Sequence, residues 1–584
     1  MVKGASFKTL MVIALMAIVT AIVYQNSIGV PFYLDDFGSI VNNPNFKNAS
    51  FSTLFSDYPL RVIGYFSLFL DFEQHKLSVS GYHYTNVFIH FLTGLVVYFL
   101  VRKLCSISKF AVSSAAANYV AMICALVFLV HPLQTQSVTY IVQRLASLVA
   151  LFYLASVCCY FYARSSESNT LKVVFSFGCM LFAVCAFFTK QNAVTLPLVL
   201  VFAELIFFNR SVAKKMILAG LIALLSIGLL YFVVPSSVGG YVDKLDMLTR
   251  ETRDITRIDY FLAQLSILWI YVGKFFWPVG LHLEYGKTIE DFSRFTTLIS
   301  AFAHIVVLAA AFTLRKKLPL LAFGIAFFYS AHFVESGIIP IRDLMFEHRT
   351  YLPNFGLILV ALSLCSLVWK RLNKSDKATV PLMISAIVLF ALSYMTYQRN
   401  EQWLDPKKFY ENELVYSPNN VRVLHNYAEY SGRMGDLDKS ESLINRMYDA
   451  AGDKIDGAMV NTHIVLLMSR GKFRDAVALA ERLLEQPGLN PRTRVHVLSN
   501  IGIVYTSLGR YKRADAYFRE AYALGGMTTK ALLAYAFSLH KNGFPIKALE
   551  MIDEIKVLRP NDRRALELEK KILAKNDDKS EVEK

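Results

Sequence analysis

A chain of 584 residues, 55% of them hydrophobic and 14% aromatic, with a mean hydropathy of +0.40, is too apolar for a soluble enzyme and long enough for two domains. Its net charge of +16 would suit a nucleic-acid partner, but the Lys and Arg residues collect in short loops between apolar runs, where membrane topology and lipid headgroups account for them. Cys105, Cys124, Cys158, Cys159, Cys179, Cys185 and Cys365 lie in or beside apolar stretches at no metal-ligand spacing, so they read as small core hydrophobes.

The chain opens with Lys3 and Lys8 before an apolar run, in the manner of a signal peptide. No small-residue cleavage site follows, which predicts an uncleaved membrane helix. Apolar segments then recur at 7–24, 82–101, 115–131, 145–163, 171–189, 192–208, 216–234, 259–277, 297–314, 318–335, 351–369 and 379–397. The basic loops between them belong on the cytoplasmic side. Alternation satisfies every such loop if the first helix runs outward and one segment between Lys215 and Arg315 does not cross. Segment 259–277 is the odd one: it begins with Asp259, carries Gln264 and ends in Trp277-Pro278, and is read as re-entrant or interfacial. The expectation is therefore about eleven spans in the inner (plasma) membrane. The N-terminus is then cytoplasmic and everything after the last span extracytoplasmic.

That topology gathers the polar motifs on the outer face. Leu34-Asp35-Asp36 stands where the first helix leaves the bilayer, although two acids before Asn42-Asn43-Pro44 also suit a plain solvated turn. Residues 50–80 are amphipathic, carry Arg61, and are expected to lie along the outer interface. His83, Asn86 and His90 share one face of the second helix; their spacing suits interhelical hydrogen bonds better than a metal. His131 and Gln136 follow, then Arg144, a buried cation that needs an anion, either a lipid phosphate or an acidic neighbour. Lys190, Glu335 and the run Glu347-His348-Arg349 complete the set, and ionisable residues at membrane depth are functional candidates.

After Arg399 the composition turns charged and helical. Gly502 and Ala536, Gly509 and Gly543, and Ala514 and Ala548 are each 34 apart, the tetratricopeptide period. Earlier units centre on Gly435/Ser440 and Gly471/Ala476. The fold class is thus all-α: a polytopic membrane domain over 1–398, a connector at 399–420, an α-solenoid of about four repeats over 421–562, and a charged capping helix and tail at 563–584. Such solenoids bind peptides or proteins.

Taken in order, Leu34-Asp35-Asp36 with Asn43-Pro44, His83-x-x-Asn86-x-x-x-His90, His131-Pro132-x-x-Thr135-Gln136 through Arg144, Thr189-Lys190-Gln191 through Leu196-Pro197, Glu347-His348-Arg349-x-Tyr351-Leu352-Pro353 and Trp403 resemble the TMTC-type protein O-mannosyltransferases and their bacterial relatives. The resemblance implies a GT-C type, inverting glycosyltransferase domain. It also implies a polyprenyl-phosphate-linked sugar as donor and a hydroxyl of an exported protein as acceptor, with the repeats as acceptor platform. It assigns the base to Asp35 or Asp36. Arg144, Lys190 and Arg349 would hold the donor phosphate, with Arg61, His83, Asn86, His90, His131, Gln136, Glu347 and His348 as supporting polar groups. The sequence departs from the pattern at Gln136 and Gln191, where such relatives often carry Glu. No cofactor is firmly implied and no divalent metal is required, though an acidic pair can hold one. Two other classes stay open: a lipid-linked sugar ligase or polymerase with a glycan acceptor, and a non-catalytic membrane-anchored scaffold.

Overall fold

The computed structural model of the chain describes residues 2–46, 50–110, 113–218, 220, 252, 254–337, 339–372 and 379–582. Their regular structure is all helical, with no strand among these residues. They fall into two compact units. The first comprises Met1–Pro31, Leu54–Ser67 and Ser80–Leu404; the second comprises Phe32–Thr53, Leu68–Val79 and Asp405–Lys584.

Among the described residues of the first unit, six helices are long and apolar enough to cross a membrane: Phe7–Gly29, Val79–Ile107, Ile141–Ser165, Asn169–Phe187, Arg294–Leu314 and Val380–Leu404. A seventh crossing arises if Ser114–Val130 and Pro132–Thr139, bent by 52° at His131, count as one span. Pro132 causes that break, because it has no N–H to continue the ladder. Gln191–Phe207, Pro319–His332 and Asn354–Trp369 are apolar but shorter. Most of the expected segment 216–234 lies outside the described residues. Arg257–Phe276, read from sequence as re-entrant or interfacial, is one continuous helix of 20 residues and is not among the six. The unit is therefore a multi-helix membrane domain in which six or seven helices of full spanning length are found among the described residues, against the eleven spans expected of the whole chain.

Its helices meet through small residues, as lipid-embedded helices must when hydrophobicity alone cannot draw them together. A Cβ on Gly324 would lie 2.6 Å from the Gly356 carbonyl oxygen, and one on Gly356 would lie 2.5 Å from that of Gly324. Pro319–His332 and Asn354–Leu372 thus touch backbone to backbone. Phe327 and Phe355, at 5.0 Å, fill the space beside the contact.

The second unit contains the helix pairs Val421–Arg433 with Leu437–Ala451, Gly457–Ser469 with Phe473–Leu484, Pro491–Ser507 with Tyr511–Leu524, and Thr529–Lys541 with Pro545–Leu558. Each pair turns on a left-handed glycine, with φ of 85° at Gly435, 73° at Gly471, 70° at Gly509 and 87° at Gly543. A side chain there would strain the turn. Ser440, Ala476, Ala514 and Ala548 are buried at the equivalent point of each second helix. At the first of them the Ser440 hydroxyl donates to the Ala428 carbonyl at 2.9 Å, so a polar side chain is accommodated where the others have alanine. Helix Pro406–Tyr416 precedes the pairs, and Arg563–Val582 packs after them.

Candidate functional site

In the membrane unit the polar residues gather where helices break. Helix Asn169–Phe187 ends just before Lys190, and the short turn Glu347–Thr350 precedes Asn354–Leu372. Lys190 Nζ lies 2.5 Å from Glu335 Oε1. Arg349, nine-tenths or more buried, donates to the Asp343 and Leu344 carbonyls at 2.7 and 3.1 Å and stands over the Phe346 ring. Tyr260 ties the two cations together: its hydroxyl donates to the Glu335 carbonyl at 2.5 Å and accepts from Arg349 at 3.5 Å. Gln136 Oε1 accepts the His348 N–H at 2.5 Å. Burial, and then the positive charges of Lys190 and Arg349, hold the His348 imidazole well below its ordinary pKa.

Around these groups sit polar atoms that the protein leaves unsatisfied. Among the described residues, Gln136 Nε2, Gln264 Oε1 and both ring nitrogens of His332 have no hydrogen-bond partner, and all three side chains are buried. Each such atom costs about 1–3 kcal/mol of desolvation. His332 stacks on Tyr271 at 5.3 Å and lies within electrostatic reach of Glu335 and Arg349. Positive charge with spare donors and acceptors, in an otherwise apolar unit, suits an anionic, hydroxyl-rich ligand.

The remaining sequence candidates of this unit are tied to neighbouring elements. His83 Nε2 donates to the Val30 carbonyl at 2.8 Å. Asn86 donates to the carbonyls of Val138 and Ile141 and accepts from Arg144 at 2.6 Å. Arg144, fully buried, also donates to the Ser67 and Tyr82 carbonyls, both at 2.9 Å. His90 donates to the Leu129 carbonyl and accepts from the Tyr351 hydroxyl at 2.7 Å. His131 bridges the Phe275 carbonyl and the Leu133 N–H across the helix break. Arg61, exposed, donates to Gln191 at 3.0 Å, beside Lys190. Glu347 accepts from the Tyr285 hydroxyl at 2.7 Å and the His282 N–H at 3.0 Å, and forms an ion pair with Arg399. Burial first, and then Arg399 and Lys274 against a bond to Gly280, lowers His282 to about 4.

The sequence reading passed over Arg399, Tyr285, His282 and His332. The first lies at a composition boundary, the next two in a loop without periodicity, and His332 at the end of an apolar helix. A signal was present in His282-Leu283-Glu284-Tyr285, a polar island between apolar helices.

Asp35 and Asp36 belong to the second unit, on the segment Phe32–Thr53. Asp36, 1% exposed, accepts the Tyr33 N–H at 3.0 Å. Asp35 faces outward, its side chain 52% exposed, and pairs with Arg422 at 2.5 Å. Between Tyr33 and Asp35, Leu34 adopts φ of +39°, a left-handed backbone that costs a residue with a Cβ about 1–2 kcal/mol. Tyr33 packs against Phe409 at 4.4 Å and Tyr410 at 6.1 Å.

With both polar regions described, similarity to known proteins can be weighed. The family description "Tetratricopeptide repeat" matches residues 495–525, within the third helix pair. "Protein O-mannosyl-transferase F38B6.6" of Caenorhabditis elegans is 25% identical over 70% of this chain and 59% of its own length. "Protein O-mannosyl-transferase TMTC3" of Mus musculus is 23% identical over 92% of this chain and 63% of its own. The Homo sapiens "Protein O-mannosyl-transferase TMTC1" is 23% identical over 71% and 52%. The chain therefore spans only between 52% and 63% of the length of these relatives. A solved structure, "YrrB: a TPR protein with an unusual peptide-binding site", overlaps with a TM-score of 0.21, too low to carry an argument about this chain. Over both units, then, the sequence is similar to proteins named as TMTC-type protein O-mannosyltransferases, and one of its repeats matches the tetratricopeptide description.

Proposed function

We propose that the chain is a GT-C type membrane glycosyltransferase that moves a sugar from a polyprenyl-phosphate carrier to a hydroxyl of an exported protein, with inversion at the anomeric carbon. The observation that carries the reading is the Lys190, Arg349 and His348 cluster with its unsatisfied buried neighbours Gln136, Gln264 and His332. In this scheme a carboxylate of the Asp35/Asp36 loop takes the acceptor hydroxyl proton while the acceptor oxygen bonds to the anomeric carbon. The bond from that carbon to the phosphate oxygen breaks, and its electron pair leaves with the polyprenyl phosphate. Lys190 and Arg349 hold the departing phosphate charge, as preorganised cations do best in a water-poor site. Arg144 adds positive potential, although its guanidinium already serves three acceptors.

The acceptor is a protein, held by the repeats, and the loop and repeats lie on the extracytoplasmic face of the inner membrane. A reporter active only in the cytoplasm, fused after Lys584, should stay silent. The test of the reaction is direct. Exported proteins from cells with and without this chain are compared by mass, and a sugar mass should disappear with the chain. Asp35→Asn and Asp36→Asn are then assayed for transfer, with a loss of about 10²–10⁴-fold expected in the variant that removes the base. Near-normal transfer in both single variants and in the double variant overturns the reading.

A further inference from the structure

Beside Lys190 and Arg349 lie buried side chains that are fixed in position yet leave hydrogen-bonding atoms unused. His332, at the end of helix Pro319–His332, is 1% exposed, and among the described residues neither of its ring nitrogens has a partner. Its ring stacks on Tyr271 at 5.3 Å and meets Phe328 edge-on at 4.7 Å. Tyr271 is itself pinned: its hydroxyl donates to the Phe346 carbonyl and accepts the Phe346 N–H, both at 3.0 Å. On the next turn the Ser336 N–H donates to the His332 carbonyl at 2.8 Å, while the buried Ser336 hydroxyl has no partner. Gln264, fully buried, donates its amide to the Leu344 carbonyl at 2.8 Å, which leaves its Oε1 unused. Arg349 donates to that same carbonyl at 3.1 Å, so the unused amide oxygen stands beside the guanidinium. His332 in turn lies within electrostatic reach of Arg349 and of Glu335, the partner of Lys190.

These groups differ in kind from the cations. A phosphate asks for positive charge, which Lys190 and Arg349 supply. A neutral imidazole, an amide oxygen and a hydroxyl instead match sugar hydroxyls, each of which both donates and accepts. Buried polar atoms are costly to leave unpaired, so a ligand that pairs them is bound selectively. We infer that His332, with Gln264 and Ser336, contacts the hydroxyls of the transferred sugar and sets the specificity for it, while Lys190 and Arg349 hold the phosphate. This rests on the glycosyl-transfer reading above. The ligand class is a hexose with free hydroxyls. A sugar lacking the hydroxyl that faces His332 leaves the imidazole unpaired and is rejected.

The experiment uses the full-length protein in detergent, with an acceptor protein and polyprenyl-phosphate-linked mannose and glucose as donors, each also as its monodeoxy analogues. For the sugar it transfers, the wild-type protein should reject at least one analogue by about 10²-fold or more in kcat/KM. His332→Phe, which keeps an aromatic ring on Tyr271, should lower kcat/KM for the parent sugar by about 10–100-fold, the cost of one buried hydrogen bond left unmade. It should also level the preference at one hydroxyl while the preferences at the others persist. Polyprenyl phosphate alone, which carries no sugar, should bind with the wild-type Kd. Should His332→Phe fail to fold, Ser336→Ala, which removes a single atom, decides by the same ratios. Wild-type ratios toward every analogue in an active, folded variant overturn the inference and leave the transfer reading intact. Weaker binding of polyprenyl phosphate alone, with unchanged ratios, puts His332 with the phosphate and overturns it as well. A wild-type protein that transfers neither sugar removes both readings together.

Discussion

The membrane unit and the repeat unit carry charge under opposite rules. In the membrane unit Arg144, Arg349 and Arg399 are all nearly buried, and each is surrounded by carbonyls, an amide or a carboxylate. In the repeat unit the ion pairs are open to water, as with Arg494 and Glu520, whose side chains are 38% and 49% exposed. Charge removed from water must be satisfied almost completely, whereas charge at a surface is replaceable. The repeats take their stability from apolar periodicity, in which Ala514, Phe518, Ala536, Ala548 and Ile552 form one buried cluster. A buried charge in the first unit therefore marks structure or chemistry, and an ion pair in the second marks neither by itself. The Asp35–Arg422 pair is set apart by its strained turn and its aromatic clamp.

The sharpest way to break this contrast is Arg144→Met. It leaves the Asn86 amide and the Ser67 and Tyr82 carbonyls without their donor. A loss of about 1–3 kcal/mol for each acceptor left unpaired is expected, seen as a collapse of the melting temperature in detergent. A folded variant that merely binds lipid phosphate more weakly would move Arg144 into the donor site. Next in size is Gly502→Ala, whose new Cβ would lie 2.7 Å from the Phe518 ring. About 1–3 kcal/mol should be lost from the repeats through overpacking, while the melting of the membrane unit stays put. A single shifted transition covering both units would show that they unfold as one.

The pH dependence comes third. His282, lowered to about 4, and His348, held well below its usual value, are neutral in the folded chain. Unfolded, each binds a proton below about 6.5, so stability present above that pH is lost as the pH falls toward 4. His282→Gln should flatten that slope in a melting series, and an unchanged slope would assign the dependence to other groups. The smallest effect belongs to Arg494→Ala, which removes the surface pair with Glu520. Its cost should lie within about 0.2–1 kcal/mol and shrink in salt. A larger cost would mean that the solenoid depends on its surface charges after all.

What the chain determined by itself was everything with a local period. The apolar runs predicted helices because hydrophobic length is a property of neighbours in sequence. The spacing of Gly502, Gly509 and Ala514 from Ala536, Gly543 and Ala548 predicted the paired helices, because each turn repeats the same glycine geometry. The polar residues worth watching were also legible, since charge is rare among so many apolar side chains. Their partners were not. Nothing in the local sequence joins Glu347 to Arg399, Lys190 to Glu335, or Asp35 to Arg422. Nor does chain order reveal that residues 32–53, which follow the first membrane helix, cluster with repeats that begin hundreds of residues later. Periodicity is set by bonds along the backbone. The pairing of charges is decided only when folding removes them from water and each must find whatever acceptor the packing has brought within reach.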